Sequence, residues 1–452
     1  MWRDVMLVRI AKWPGWSPGV VATRRRNLGW LLVGSALWLG ACSGGADVDS
    51  EPVGLTPEVG EEVRATASES ALSVQLRTFD ALIETLRESY VYGTRRGVDW
   101  ADLESRYRTK VLGLRQPDDF PKIIGDLIRE LPPGAARWES RQQRIDVQSS
   151  DSLNYEGIGT YIAFRPSPVP RVILLSVMRG SPAESAGLRD HDSVLAVDGT
   201  PVRIDEGADV ATRIRGPAGS TVMLMVQSPR SKPRLVPVTR GRVNLGGVFN
   251  SVRTRLLTGT NVGYLLFPRQ SDAQTATDVQ ESLLQLTAQA PIRALILDLR
   301  IAGFGSTWPL GELLTLFADG ELGTIYYADG EQPITIPGRD LAGSQTLPLA
   351  ILIGPDTEGR PEIFAAALQS VGRASLFGQR TAGTIEESVV VQLPDGSRLF
   401  VQASSYRNAA GREVGDGVAP NVPVRGDWDS VTEEEDGIRD AAIASLLRGA
   451  GR

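Results

Sequence analysis

From residue 262 to residue 424 the chain alternates short apolar runs with helical patterns, and this alternation narrows the possible folds more than any other feature. Val262–Phe267 reads as a strand, and Arg293–Leu299 and Leu349–Ile353 are apolar along most of their length. Runs of that kind are strands buried on both faces. Helical spacing fills the segments from about Ala273 to Ala288 and from about Pro361 to Val371. Strand and helix in turn predict an α/β layered core.

The flanks read differently. In residues 71–132, Leu76, Phe79, Leu82, Ile83, Leu86 and Tyr90 recur at helical spacing. Leu103, Tyr107, Val111 and Leu112 form a second such pattern. Phe120, Ile123, Ile124, Leu127 and Ile128 form a third, ending before Pro132-Pro133. Residues 155–245 carry β-type runs, Arg171–Val177 and Thr221–Val226, between Gly and Pro turns, with one helix expected from about Asp205 to Arg215. Segment 432–448 reads as an amphipathic helix whose Glu433–Asp436 run suits its N-terminus. The fold class expected for the whole chain is α/β and β.

Charge and composition exclude several functions. The net charge is −6, yet residues 1–42 hold six basic side chains against Asp4, so the body is more acidic still. Such a body is a poor partner for nucleic acid. One cysteine, Cys42, and one histidine, His191, permit no internal disulfide and no His/Cys metal site, so no metal is expected. Gly303–Trp308 lacks the third glycine of a dinucleotide loop, and no cofactor is expected. Arg24-Arg25-Arg26 precede an apolar run, Leu28–Ala41, too short to span a bilayer comfortably. Leu39-Gly40-Ala41-Cys42 resembles the bacterial lipobox, which implies lipidation of Cys42 and a membrane anchor. Residues 43–70, rich in Gly, Ser, Pro and acidic groups, then read as a flexible linker. Ser43 after the cysteine resembles outer-membrane sorting, so the expected location is the bacterial cell envelope, facing the periplasm.

Two motif sets follow. Gly157-Ile158-Gly159 leads into Thr160, Tyr161 and Ile162. A glycine loop before an edge strand offers backbone N–H groups to a terminal carboxylate, and the strand accepts a peptide by β-addition. With Gly180–Leu188, Asp192–Val202 and Arg215–Ser220 these residues resemble a PDZ domain, which implies binding of protein or peptide C-termini. Asp190-His191 stands where that family usually has Pro-Gly, so His191 is expected in a surface turn.

The rest resembles the carboxy-terminal processing peptidases, peptidase family S41. The carriers are Gly97–Trp100, Leu297–Arg300, Glu362–Gln369, Gly378–Gly383, Leu393–Arg398 and Gly415–Pro420. The implied organisation is a signal peptide at 1–42, a linker at 43–70 and an N-terminal helical region at 71–150. A PDZ domain at 151–246, a peptidase-like core at 247–428 and a C-terminal helix at 429–452 follow. In active members a serine lies three residues before the glutamate, a lysine 22 residues after it, and a glutamine four residues further on. Here those positions hold Gly359, Thr384 and Ser388. Residues 233–452 contain neither lysine nor histidine, and a hydroxyl nucleophile needs a neighbouring base. Arg360, Pro361 and Phe304 replace small residues that would shape an oxyanion hole. The resemblance therefore implies a peptidase fold without its catalytic groups, acting in binding or regulation, with an active relative as one partner. The alternative is a rearranged site drawing on Thr357, Ser344 or Ser306 with Glu386 or Glu387.

Overall fold

The computed structural model describes residues 70–93, 95–144, 154–244, 251–303 and 307–449. The expected lipidation site Cys42, the linker up to residue 69 and loop residues Phe304–Ser306 lie outside them.

Three helices open the described chain: α1 (Ala71–Ser89), α2 (Trp100–Leu112) and α3 (Phe120–Glu130). Asp99 caps α2 by accepting from the N–H groups of Ala101 and Asp102. The helices are followed by β1 (Ala136–Glu139). Next come β2 (Asn154–Gly157), β3 (Thr160–Arg165), β4 (Arg171–Val177) and β5 (Ser193–Val197). Beyond them lie β6 (Thr221–Gln227), β7 (Arg234–Thr239) and β8 (Gly241–Asn244). Strands β3-β4-β5-β6-β7 form one antiparallel sheet with β3 at its edge, while β2 pairs with β8. The single helix expected at 205–215 is broken. A 3-10 turn, Ile204–Val210, kinks at Gly207 (φ 52°, ψ −132°) before a one-turn helix, Ala211–Ile214. Only glycine adopts that conformation cheaply, and it cannot continue a helix.

The second half begins with β9 (Arg253–Leu257), β10 (Val262–Leu266), α4 (Gln274–Gln289), β11 (Ala294–Asp298) and α5 (Leu310–Phe317). A β-ribbon follows, β12 (Gly320–Tyr327) and β13 (Glu331–Ile336). The chain then runs through β14 (Leu349–Ile353), α6 (Arg360–Ser370) and β15 (Ser375–Gly378). It ends with β16 (Glu387–Gln392), β17 (Arg398–Asn408), β18 (Val422–Pro423) and α7 (Gly437–Gly449). Strands β9-β10-β11-β14-β15-β18 form a sheet that is parallel from β10 onward. A second sheet joins β1, β12, β13 and β16 around β17.

Period two sorts the parallel sheet into two faces. Leu265, Leu295, Leu297, Ile351 and Ile353 pack against α4, α5 and α6. Val262, Tyr264, Ile296, Ala350 and Leu352 pack against Trp428 and α7 on the other side. That second face is also covered by β4. Val172 and Leu174 point into the core of the antiparallel sheet, and Ile173 and Leu175 point onto the parallel one. All four are fully buried, so β4 is a strand held between two cores. The three N-terminal helices share their core with β17 through Leu399 and Val401.

His191 sits in its expected turn, with φ 73°, but is half-buried rather than exposed. Its ring lies 4.2 Å from that of Trp428, and Nδ1 is 2.7 Å from the Trp428 carbonyl oxygen, which fixes Nδ1 as the N–H donor. Burial pushes its pKa down from 6.5; the bond to the Trp428 carbonyl and Asp190 oppose the shift, and Arg300 and Arg253 reinforce it. The fold therefore favours neutral His191, and the stability this gives is full above pH 6.5 and is lost as pH falls below that value through the lower folded pKa. The urea midpoint is expected to drop between pH 7.5 and 5.5, and His191→Gln to flatten that slope. An unchanged slope in the variant would refute the assignment.

Candidate functional site

The loops at the carboxyl ends of β10, β11, β14 and β15 converge, which is where open α/β sheets place their ligands. The turn after β14 is the centre of this region. Gly354 N–H donates to Thr357 Oγ1 at 3.0 Å, and that hydroxyl donates to the Leu299 carbonyl at 2.8 Å. Glu358 N–H donates to the Ala302 carbonyl at 3.0 Å. Arg269, almost fully buried, reaches the Asp356 carbonyl at 2.6 Å and the Glu358 carboxylate at 2.9 Å. The turn is thus braced from the neighbouring strand before it enters α6.

Gly359 is the N-cap of α6, with φ 70° and ψ −131°. An L side chain is strained there, and such strained positions concentrate at functional sites. Space is not the obstacle: a Cβ added at Gly359 would meet nothing nearer than the Thr384 carbonyl oxygen at 3.9 Å. The two positions counted along the sequence are therefore neighbours in space. Ser388, four residues on, is exposed at the start of β16 beside a register shift.

The organising side chain is Glu362, which is fully buried. Its Oε2 accepts from the N–H groups of Gly359 and Thr384 at 2.9 Å each and from Thr384 Oγ1 at 3.1 Å. Its Oε1 accepts from Gly383 N–H at 2.8 Å and from the Thr381 hydroxyl. A glutamate three residues into a helix commonly reaches back to the N-cap N–H. Here the same carboxylate also fixes the 381–384 loop, a role that helix pattern alone does not reveal.

Of the residues considered for a rearranged site, Ser306 lies outside the described residues and the other four are engaged elsewhere. Thr357 is fully buried and bonded within its turn. Ser344 is fully buried and accepts from Leu341 N–H. Glu386 accepts from the Tyr92 hydroxyl, and Glu387 is paired with Arg360, so the two carboxylates have separate partners. Arg360 also donates to the Trp308 carbonyl at 3.2 Å and lies across the N-terminus of α6.

The glycine loop has the arrangement its sequence implies. Among the described residues nothing accepts from the N–H of Ile158 or Gly159. Gly159 has φ 82°, and a Cβ there would come within 2.4 Å of Ser181 Cβ. Thr160, Tyr161 and Ile162 lie on β3, the edge strand of its sheet, with the 204–210 turn packed beside that strand. The far end of β3 reaches the turn after β14. Arg165 is paired with Asp356, and its Nε donates to Asp427 at 2.8 Å. Burial raises the Asp356 pKa despite the arginine beside it.

The sequence pattern described as Peptidase family S41 matches residues 261–424, that of a PDZ domain matches 173–228, and that of the Tricorn protease C1 domain matches 77–129. A carboxyl-terminal-processing protease of Picosynechococcus is 30% identical over 359 residues, which cover 76% of this chain and 84% of the relative. The chain belongs to the carboxyl-terminal-processing protease family. A chloroplastic C-terminal processing peptidase of Tetradesmus obliquus is 27% identical, with 79% of each chain covered. The solved photosystem II D1 C-terminal processing protease matches the fold with a TM-score of 0.58 at 24% identity, over 84% of this chain and 97% of that one. A putative S41 protease from Bacteroides fragilis does so with a TM-score of 0.52 at 18% identity, over 82% and 97%. In this carboxyl-terminal-processing protease fold, the position that begins the helix after β14 carries no side chain, and the facing loop carries Thr384.

Proposed function

We propose that this protein is a pseudopeptidase of the carboxyl-terminal-processing protease family, binding protein or peptide C-termini without cleaving them. One observation carries the reading. Gly359 and Thr384 stand side by side under a shared buried glutamate, so the frame of the site is kept while hydroxyl and amine are both missing. A hydroxyl nucleophile without a base does little at neutral pH, and here there is no hydroxyl at the helix N-cap. The alternative, an active serine endopeptidase with a rearranged site, has to use Thr357, Ser344, Glu386 or Glu387, each already bonded to the scaffold, or Ser306, which lies outside the described residues.

The peptide site proposed is the loop Gly157–Gly159 with the edge residues Thr160, Tyr161 and Ile162. The chain would be anchored through a lipid on Cys42 in the bacterial envelope, facing the periplasm from the outer membrane. There it would hold or present substrates, one partner being an active protease of the same family.

Purified protein incubated with unfolded substrates and with C-terminal peptides tests this. Binding without new fragments is the expected result. Gly159→Val, which forces a side chain onto Ser181, is expected to weaken peptide binding by about tenfold or more, equivalent to roughly 1.4 kcal/mol. Fragments that vanish on Ser344→Ala or Glu386→Gln would establish the rearranged enzyme instead.

A further inference from the structure

A cavity of ≈ 380 Å³ lies where the antiparallel sheet, β9 and the segment before α7 meet. Its walls carry four arginines, Arg179, Arg253, Arg255 and Arg300, against two carboxylates, Glu433 and Asp436. This is a basic recess in a chain with a net charge of −6.

The charges are not equally committed. Arg300 is held by Asp298 and by Asp436 at 2.6 Å, and Arg253 is held by Asp190 at 2.7 Å. Strand periodicity puts Arg253 and Arg255 on the same face of β9. Arg255 is held more loosely, its Nη2 donating to the Glu433 carbonyl at 3.4 Å. Its nearest carboxylate oxygen, on the exposed Glu433, is 3.9 Å away, its guanidinium lies 4.9 Å from the Tyr264 ring centre, and its Nε is buried with no hydrogen-bond partner. Arg179 is exposed, and among the described residues no hydrogen bond or ion pair holds it. A buried guanidinium nitrogen without an acceptor is costly unless something fills the position.

The walls between these cations are flat. Tyr264 has its hydroxyl committed to Asp298 and Trp428 its indole N–H to the Leu175 carbonyl, so both can offer only ring surface. Guanidinium forks match phosphate oxygens in pairs, and the volume exceeds that of the bare ion. We infer that this cavity is a binding site for a small organic phosphate monoester, with the phosphate on Arg255 and Arg179 and the organic part against Tyr264 and Trp428. The site is separate from the Gly359–Thr384 region and does not depend on whether the protein hydrolyses peptides. Its walls come from the antiparallel sheet as well as from the parallel core, so an occupant would bridge the two.

Isothermal titration of the full-length chain with phenyl phosphate, inorganic phosphate and benzoate tests the assignment. Saturable binding of phenyl phosphate, weaker binding of inorganic phosphate and a loss of about tenfold or more in Arg255→Gln are expected, since each charge-assisted contact is worth at least that factor. Arg179→Gln, on an exposed residue, is expected to show a similar loss with the fold intact. Short-chain phosphatidate separates the sources: weaker binding than phenyl phosphate supports a soluble monoester, and tighter binding overturns that choice. No saturable heat up to about 10 mM, tighter binding of benzoate, or equal affinity in both variants would overturn the site itself.

Discussion

The combined replacement Gly359→Ser, Thr384→Lys and Ser388→Gln is expected to confer hydrolysis of unfolded protein on a chain whose parent form is expected to show none. The backbone already has the required shape. A Cβ at 359 would stand 3.9 Å from the Thr384 carbonyl, and Glu362 already ties both positions to one point. The strain of a non-glycine residue at φ 70° costs about 1–3 kcal/mol, and the braces from Thr357, Glu358 and Arg269 are in place to bear it. Gly359→Ser alone is expected to remain silent, because a general base contributes roughly 10²–10⁴-fold. Adding the lysine should therefore raise the rate by at least about a hundredfold. The assay is fragment formation from an unfolded substrate, with a serine-reactive inhibitor labelling only the variants that carry the new serine. Equal cleavage by the parent chain would end the pseudopeptidase reading.

The largest expected effect on stability comes from Arg300→Met. Arg300 is buried, donates to Asp298 and Asp436, and lies 5.1 Å from the Trp428 ring centre. Burial opposes its charge, but the two aspartates hold its pKa well above the ordinary value. Asp436 in turn accepts from the N–H groups of Ile438 and Arg439 at the start of α7. Removing the arginine strands two buried carboxylates, and breaking such a cluster costs about 3–5 kcal/mol. Urea unfolding should show that loss, and Asp298→Asn with Asp436→Asn in the same chain should recover part of it. A loss below about 1 kcal/mol would mean the cluster behaves as if exposed to water.

Much of this architecture can be read in the sequence, for local reasons. Phe79, Leu82, Ile83 and Leu86 mark α1 because a helix repeats its inner face every 3.6 residues. Ala294–Asp298 and Leu349–Ile353 mark central strands because both their faces are covered. The neighbouring positions 359 and 384 were legible because the spacing from Glu362 needs no gap. What local pattern cannot supply is contact between distant segments. Nothing near Arg165 announces Asp356, 191 residues away, and nothing near His191 announces Trp428. Glu362 reads as a helix-start residue, and its second role appears only when the 381–384 loop folds over it. Gly207 stood in view, but the helical spacing around it masked the break.

Strand β4 bears on how this chain divides. Ile173 and Leu175 contribute to the core of the parallel sheet, and Tyr161 and Ala163 of β3 pack against that core too. A fragment cut at the edges of the antiparallel sheet would present all four to water, two of them large aliphatic side chains worth roughly 1.5–3 kcal/mol each when buried. The peptide-binding part is therefore not a detachable module that could be recombined, expressed alone or inherited separately without new surface. Sequence boundaries mark where motifs begin and end, whereas the unit that must fold together is the larger one.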